Sequence, residues 1–245
     1  MALGKTVLDR FVANFASPFI NVNMKNDLAF LFDLDGVIID TESQFDVLWK
    51  DLGERYHLEI PDFEYKIKGT VTPDIINIYF GRFSPEEKEK IRKEIAHFEQ
   101  NMTIDFIPGA YKFLVKTKEA GIKTALVTSS NNAKLAANFR DAPVDLYPFF
   151  NTIVSADRIT EGKPHPMPYL LAAQDLSSLP ENCVVFEDSF NGIKSGNAAG
   201  MKVVGLSTTN PKESIEKDVC CVLPDFLEVT SSDEMFGRFV EHLLK

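Results

Sequence analysis

Short, continuous apolar runs alternate along this chain with segments whose apolar residues recur every three or four positions. A run of four to eight apolar residues indicates a buried strand, and the three-to-four spacing indicates a helix with one buried face. Because the runs are apolar throughout, they predict a parallel sheet with helices on both faces. The predicted strands are 28–33, 123–128, 149–154, 183–186 and 202–206, with 219–223 as a further candidate.

Residues 42–105 interrupt this alternation, because they carry helical patterns and no predicted strand. After Thr41, apolar and aromatic side chains follow at helical spacing from Phe45 to Tyr56. The segment Ser84-Pro85-Glu86-Glu87 is a favourable helix start, and a strongly charged helix is expected to run from it to about Met102. The sequence therefore predicts an α/β core, residues 27–41 and 106–245, with a helical insertion after its first strand.

The N-terminal residues 1–26 are predicted to be an extension that precedes the core. Their apolar stretch is broken by Asn14, Ser17, Pro18 and Asn21, so a secretory signal is not expected. Met24 is an alternative start, and a short extension packed on the body is the other interpretation.

Composition narrows the classes of protein that the chain can belong to. The 36 acidic against 26 basic residues give a net charge of −10, which argues against nucleic acid or an anionic membrane as partner. With 44% hydrophobic and 25% charged residues, the chain is neither collagen-like nor disordered. Its three cysteines match neither a disulfide framework nor a zinc spacing, so a cytoplasmic location is expected.

Four polar groups are predicted to lie at the carboxyl ends of the strands, where ligands bind in open α/β sheets. They are Asp33-Leu34-Asp35-Gly36, Thr128-Ser129-Ser130-Asn131, Gly162-Lys163-Pro164 and Glu187-Asp188. Each has an alternative interpretation, since the acids and hydroxyls can cap helices and a lone lysine is usually solvated. Their joint order and position favour a single active site.

The residue types in these groups suit phosphoryl chemistry. Of two carboxylates at positions i and i+2, one can attack phosphorus while the other handles the proton of the leaving group. Hydroxyls and free backbone N–H groups before a helix suit a phosphate, and a lysine can neutralise both a phosphate and a carboxylate. Glu187 and Asp188 together with Asp33 would form an oxygen-rich cluster suited to Mg²⁺.

The same motifs resemble the haloacid dehalogenase superfamily, in its subgroup of β-phosphoglucomutase-like proteins and phosphatases with a helical cap. The run from Phe32 to Glu42 is similar to the first motif of that family, Thr128 to the second, Lys163 to the third and Glu187-Asp188-Ser189 to the fourth. The resemblance covers about residues 27–225, and it implies a Rossmann-like parallel core with residues 42–105 as an inserted cap.

The resemblance also implies a role for each motif residue. Asp33 would be the nucleophile that forms an aspartyl-phosphate, and Asp35 the general acid and then the base. The phosphoryl group would be held by Thr128, Ser129, Asn132 and Lys163. Mg²⁺ would be bound by Asp33, the backbone carbonyl of Asp35, Asp188 and, directly or through another ligand, Glu187. In the cap, the loop Lys68-Gly69-Thr70 is expected to face the substrate.

Within this family, three positions bear on the reaction. Asp35 favours phosphoryl transfer over dehalogenation, because a halide leaves without a proton. Phe45 and Thr72 stand where the mutase has a histidine and an arginine. The expectation is a Mg²⁺-dependent phosphatase of a sugar or polyol phosphate. A β-phosphoglucomutase-type mutase, an inorganic pyrophosphatase and a non-catalytic binding module are the alternatives. A small phosphorylated molecule is the expected partner, and a monomer is expected, with a dimer as the alternative.

Overall fold

The computed structural model describes residues 27–67 and 72–245. The predicted N-terminal extension 1–26 and the predicted cap-loop residues Lys68, Gly69 and Thr70 lie outside these described residues. The strands are β1 (Ala29–Phe32), β2 (Ile39–Asp40), β3 (Asp105–Phe106), β4 (Lys123–Val127), β5 (Thr152–Val154), β6 (Cys183–Glu187), β7 (Lys202–Leu206) and β8 (Cys221–Leu223). Six of them form one parallel sheet in the order β5-β4-β1-β6-β7-β8, which confirms the predicted parallel core.

Ten α-helices accompany the strands in the described part of the chain. They are α1 (Glu42–Arg55), α2 (Phe63–Lys66), α3 (Thr72–Tyr79), α4 (Pro85–Asn101), α5 (Ala110–Glu119), α6 (Asn132–Asp141), α7 (Met167–Asp175), α8 (Phe190–Ala198), α9 (Lys212–Ile215) and α10 (Asp233–Leu243). None of the helices in the described ranges is long and apolar enough to cross a membrane.

The sheet is covered on both faces, as the apolar strands predict. Successive side chains of a strand point to opposite faces, so Phe30 and Phe32 enter one hydrophobic cluster while Ala29 and Leu31 enter another. Helices α5, α6 and α10 cover the first face, and α7 and α8 cover the second. The ring of Phe113 in α5 lies 5.9 Å from that of Phe30, centroid to centroid, and ties its helix to the central strand.

The inserted helices have a hydrophobic cluster of their own. It joins α1, α3 and α4 through buried residues such as Trp49, Ile76 and Ile91. Ser84 begins α4 with a capping box, in which its hydroxyl accepts from Glu87 N and the Glu87 carboxylate accepts from Ser84 N. This confirms the helix start expected from the sequence. The insertion can therefore pack as a unit that is distinct from the two clusters of the core.

An antiparallel ribbon of β2 and β3 joins the insertion to the core, and the sequence did not predict it. The ribbon pairs only Ile39 with Phe106 and Asp40 with Asp105, and two-residue strands carry no readable periodicity. The Gln44 carboxamide extends the ribbon, since its Nε2 donates to Thr103 O at 2.7 Å and its Oε1 accepts from Thr103 N at 3.1 Å. Residue 105, assigned to the insertion by pattern, belongs to this pairing.

The ribbon yields the first prediction. Replacing Gln44 with methionine keeps about the length of the side chain but removes its hydrogen bonds to Thr103. We expect faster hydrogen exchange at the Thr103 amide and unchanged exchange in β1 and β6, measured by mass spectrometry. Val47→Ala, at a position 69% exposed on the same helix, is the control. Unchanged exchange at Thr103 would contradict a bracing role for Gln44.

Candidate active site

Three carboxylates meet at the carboxyl edge of the central strands. Asp33 directly follows β1, and its backbone N–H donates to Phe186 O of β6 at 3.0 Å. Glu187 ends β6, and Asp188 follows it. One carboxylate oxygen from each of Asp33, Glu187 and Asp188 lies within 4.8 Å of the others. The pairing of parallel strands thus brings together acids that are more than 150 residues apart along the chain.

Lys163 compensates part of this negative charge. Its Nζ lies 2.5 Å from Asp33 Oδ1, 2.6 Å from Glu187 Oε1 and 3.0 Å from the carbonyl oxygen of Val127 at the end of β4. Burial lowers the pKa of a lysine, but the carboxylates of Asp33 and Glu187 outweigh burial here and hold the pKa of Lys163 well above its ordinary value. The buried ammonium therefore stays charged and bridges the two acids.

Lys163 compensates the charge of Asp33 only in part. Burial raises the pKa of this carboxyl to about 7, the positive charge of Lys163 opposes the rise, and Glu187 and Asp35 add to it. Near neutral pH this carboxyl therefore holds a proton for part of the time. A second positive charge at the site would favour its ionised, nucleophilic form.

Glu187 is held by donors on both oxygens. Its Oε1 accepts from Lys163 Nζ and, at 3.0 Å, from the Tyr169 hydroxyl of α7. Its Oε2 accepts from the backbone N–H groups of Asp188 and Ser189 and from the Ser189 hydroxyl. A Cβ at Gly192, in the first turn of α8, would overlap this carboxylate. These contacts hold the Glu187 carboxylate in one position next to the carboxylates of Asp33 and Asp188.

The loop after β7 positions Asp188, and the sequence analysis missed it. The Thr209 hydroxyl donates to Asp188 Oδ2, and Asn210 Nδ2 donates to Asp188 O at 2.9 Å. The Thr208 hydroxyl donates to Gly36 O at 2.6 Å. A signal was present, because these residues follow a predicted strand just as the other polar groups do. The loop therefore joins the first and last carboxylate segments into one assembly.

Gly36 is required at its position for two reasons. Its φ of +76° lies in the left-handed region, which side chains with a Cβ rarely adopt. A Cβ there would also overlap the carboxylate of Asp188. The glycine of the first motif thus allows the β1 loop to approach Asp188.

Asp35 lies on the same loop, two residues after Asp33, and is partly exposed. Its Oδ1 accepts from the Thr41 hydroxyl at 3.1 Å, and the turn is closed by Gly36 N donating to Ile39 O at 2.8 Å. Asp35 is not one of the three clustered carboxylates, and its partial exposure makes it accessible to a molecule in the cleft.

The second motif lies at the end of β4, beside β1. Thr128 is buried, and its hydroxyl oxygen accepts from Ser130 N at 3.0 Å. The Asn132 carboxamide is oriented by the Ser155 hydroxyl, which donates to its Oδ1 at 2.7 Å, whereas Ser129 is exposed. The capping role is filled by Asn131, whose side chain accepts from Lys134 N. The hydroxyl proton of Thr128 is not committed to that cap.

The donor set fits a hard divalent cation. The cluster has three carboxylates, and one ammonium contacts two of them, so negative charge is in excess. Carboxylate and carbonyl oxygens are also the ligands that Mg²⁺ prefers. The structure brings together four of the predicted residues. Lys163 contacts Asp33 and Glu187, and Asp188 completes the group of three carboxylates. Asp35 and Thr128 lie on the adjoining loops. Capping at the fourth motif is done by Ser189, whose hydroxyl accepts from Gly192 N at 3.0 Å.

Comparisons with known proteins agree with this geometry. A sequence profile described as haloacid dehalogenase-like hydrolase matches residues 30–206. Hexitol phosphatase A of Escherichia coli strain K12 is 32% identical over 213 residues, covering 86% of this chain and 97% of that protein. The β-phosphoglucomutase of Bacillus subtilis strain 168 is 32% identical over 197 residues, covering 75% and 84%.

A solved structure shows the same architecture. A HAD family hydrolase from Deinococcus radiodurans R1, with bound phosphate and sodium, superposes with a TM-score of 0.72 at 25% identity, covering 90% of this chain and 98% of that one. The motifs, the parallel sheet and the acid cluster lead to one conclusion: this chain is an enzyme of the haloacid dehalogenase-like hydrolase family.

Proposed function

We propose that this protein is a Mg²⁺-dependent phosphatase of a small phosphorylated metabolite, a sugar or polyol phosphate. The observation that carries the proposal is the contact of Lys163 Nζ with Asp33 Oδ1 at 2.5 Å. It supports a carboxylate nucleophile that acts beside a cation able to bind a phosphate. The relative that is named a hexitol phosphatase supports this class of substrate.

In the proposed first step, an Asp33 oxygen attacks the phosphorus of the ester. The bond from phosphorus to the leaving oxygen breaks, and Asp35 donates its proton to that oxygen. Thr128, Ser129, Asn132 and Lys163 bind the phosphoryl oxygens. The products of this step are an alcohol and an aspartyl-phosphate on Asp33.

In the second step, Asp35 acts as a base and takes a proton from a water molecule. The water oxygen attacks phosphorus, the acyl-phosphate bond breaks, and Asp33 is regenerated with release of phosphate. Asp35 thus ends the cycle protonated, ready for another leaving group. The partial exposure of Asp35 supports this role, because an accessible carboxyl can exchange protons with solvent and substrate.

The metal site of this proposal consists of Asp33, Asp188 and the backbone carbonyl of Asp35, with Glu187 beneath them. When bound, Mg²⁺ supplies positive charge that draws the anionic phosphate toward Asp33 and stabilises the charge of the transition state. Lys163 provides the same kind of compensation from the protein side.

We also propose that residues 42–105 form a cap over a core of residues 27–41 and 106–245, with Lys68, Gly69 and Thr70 facing the substrate. The separate hydrophobic cluster of the insertion supports this division. The three free thiols support a cytoplasmic location.

A phosphomutase is the second candidate, favoured by the relative named β-phosphoglucomutase. Phe45 argues against it. Its ring packs against Phe98 at 5.5 Å between centroids and offers no proton-transfer group where the mutase resemblance implies a histidine. Thr72 likewise offers no positive charge for a second phosphate. Hydrolysis therefore remains the leading proposal.

The nucleophile gives the second prediction. Asp33→Asn removes the attacking carboxylate, so phosphate release from a panel of sugar and polyol phosphates should fall about a thousandfold or more. Asp51→Asn, an exposed change on α1, is the control and should keep full activity. Undiminished release by Asp33→Asn would refute the mechanism, and conversion to an isomeric phosphate without net release would favour the mutase.

The metal site gives the third prediction. Adding Mg²⁺ to protein treated with EDTA should raise the midpoint of thermal unfolding, because the cation binds the clustered carboxylates of the folded state. At about one hundred times the dissociation constant the gain is about 2.7 kcal/mol. Asp188→Asn should lose most of this shift and Asp51→Asn should keep it. An equal rise of the unfolding midpoint in Asp188→Asn would show that Asp188 does not bind the cation.

The raised pKa of Asp33 gives the fourth prediction. Because the folded-state pKa of about 7 exceeds the ordinary 3.8, the folded protein binds more protons than the unfolded chain between these values, and its stability falls as pH rises through that window. In EDTA, Asp33→Asn should therefore unfold at a higher urea concentration than wild type at pH 8, with a gain of about 1–4 kcal/mol. At pH 3.5 the gain should vanish. A gain independent of pH would contradict this origin.

A further inference from the structure

The segment that follows β5 holds the loop of the second motif in place. Ala156 N donates to Ser130 O at 3.0 Å. Asn132 is bound twice, because its backbone N–H donates to Asp157 Oδ2 at 2.8 Å and its Oδ1 accepts from the Ser155 hydroxyl at 2.7 Å. Three consecutive residues that belong to none of the four motifs thus support the loop between β4 and α6.

Helix capping does not account for the Ser155 hydroxyl. Ser155 occupies the N-cap position of a short 3₁₀ turn, Ala156–Arg158, where a serine side chain ordinarily accepts a hydrogen bond from the backbone. Here the side chain makes no such bond, and Ser155 is only 1% exposed. Helix α6 has a cap of its own, since Asn131 accepts from Lys134 N. The bond from Ser155 to Asn132 is therefore part of neither helix cap.

This bond decides which end of the Asn132 carboxamide is left for a ligand. A carboxamide can present either its oxygen or its NH₂ group, and only the NH₂ group can donate to a phosphate oxygen. Because Oδ1 accepts from the buried Ser155, Nδ2 remains for an acceptor elsewhere, and Asn132 is exposed. The backbone N–H of Asn132 is bound to Asp157, so the side chain is the part of this residue that can bind an anion.

We propose that Ser155 is a positioning residue for phosphate binding, which orients the Asn132 carboxamide so that Nδ2 donates to a phosphoryl oxygen. Asp157 completes this support by holding the backbone of Asn132. The strand end that carries the loop is next to the proposed phosphoryl site, since Val127 O accepts from Lys163 Nζ at 3.0 Å. The proposal rests on the phosphatase function proposed above and adds a residue that does not itself touch the substrate.

Four variants and one control test this arrangement. Ser155→Ala removes the hydroxyl, Asn132→Ala removes the carboxamide, and the double variant removes both. Asn132→Asp keeps the oxygen that Ser155 binds but replaces Nδ2 with a charged oxygen. Thr117→Val is the matched control, because it removes another buried hydroxyl, which donates to Phe113 O at 2.7 Å within α5.

Inorganic phosphate is the probe, because its binding needs no turnover. Its dissociation constant is obtained, with Mg²⁺ present, from the rise of the unfolding midpoint over a series of phosphate concentrations. We expect Ser155→Ala and Asn132→Ala each to weaken binding by about 3- to 10-fold, and Asn132→Asp by about tenfold or more. When Asn132 is already alanine, Ser155→Ala should change binding less than about twofold, because its effect passes through the carboxamide. The control should bind phosphate as the wild type does.

Three results would overturn the role of Ser155: an equal effect of Ser155→Ala with and without the Asn132 carboxamide, wild-type phosphate affinity in either single alanine variant, or no phosphate binding by the wild type. Failure of the proposed function gives a different result. If the phosphate affinities follow the expected pattern but no ester of the panel is hydrolysed, the phosphatase proposal fails, while Ser155 still orients an anion-binding carboxamide.

Discussion

The electrostatic balance around Lys163 is the constraint on which the rest of this site depends. Three carboxylates converge at the end of the central strands, and one buried ammonium contacts two of them. Burying like charges together is unfavourable unless cations compensate them. Burial raises the pKa of Asp33 to about 7, and Lys163 offsets that rise only in part. The donor oxygens and the excess negative charge of the cluster suit a hard cation. The same excess of negative charge therefore affects both the stability of the folded protein and the chemistry proposed for the site.

The surrounding structure holds these charges in place. Both faces of the sheet are packed with apolar side chains, so the strand ends are rigid platforms for the loops that carry Asp33 and Asp188. The Thr209 and Asn210 side chains bind Asp188, and the Tyr169 hydroxyl binds Glu187. These groups touch the carboxylates rather than the reacting atoms. Their role is to keep the acids from separating, which their mutual repulsion would otherwise favour.

The helical insertion packs as a unit of its own beside the core. It enters and leaves through one short ribbon, braced by Gln44, and it packs around its own hydrophobic cluster. Its helices α1 and α4 face α6 across a cavity next to Thr41. Under the proposed function, the residues that bind the phosphoryl group all belong to the core.

The strands and the longer helices were predictable, because apolar runs and helical spacing show in the sequence which residues are buried. The motif residues were predictable because they resemble those of a known family. By itself the sequence determined the parallel core and the inserted helices, and it marked Asp33, Asp35, Lys163 and Asp188 as candidate site residues. Only the tertiary structure decided the ribbon of β2 and β3, the contacts of Thr209 and Tyr169, and the cavity between α1, α4 and α6. These features arise from residues far apart in the chain, and short pairings and side-chain directions leave no periodic signal in a sequence.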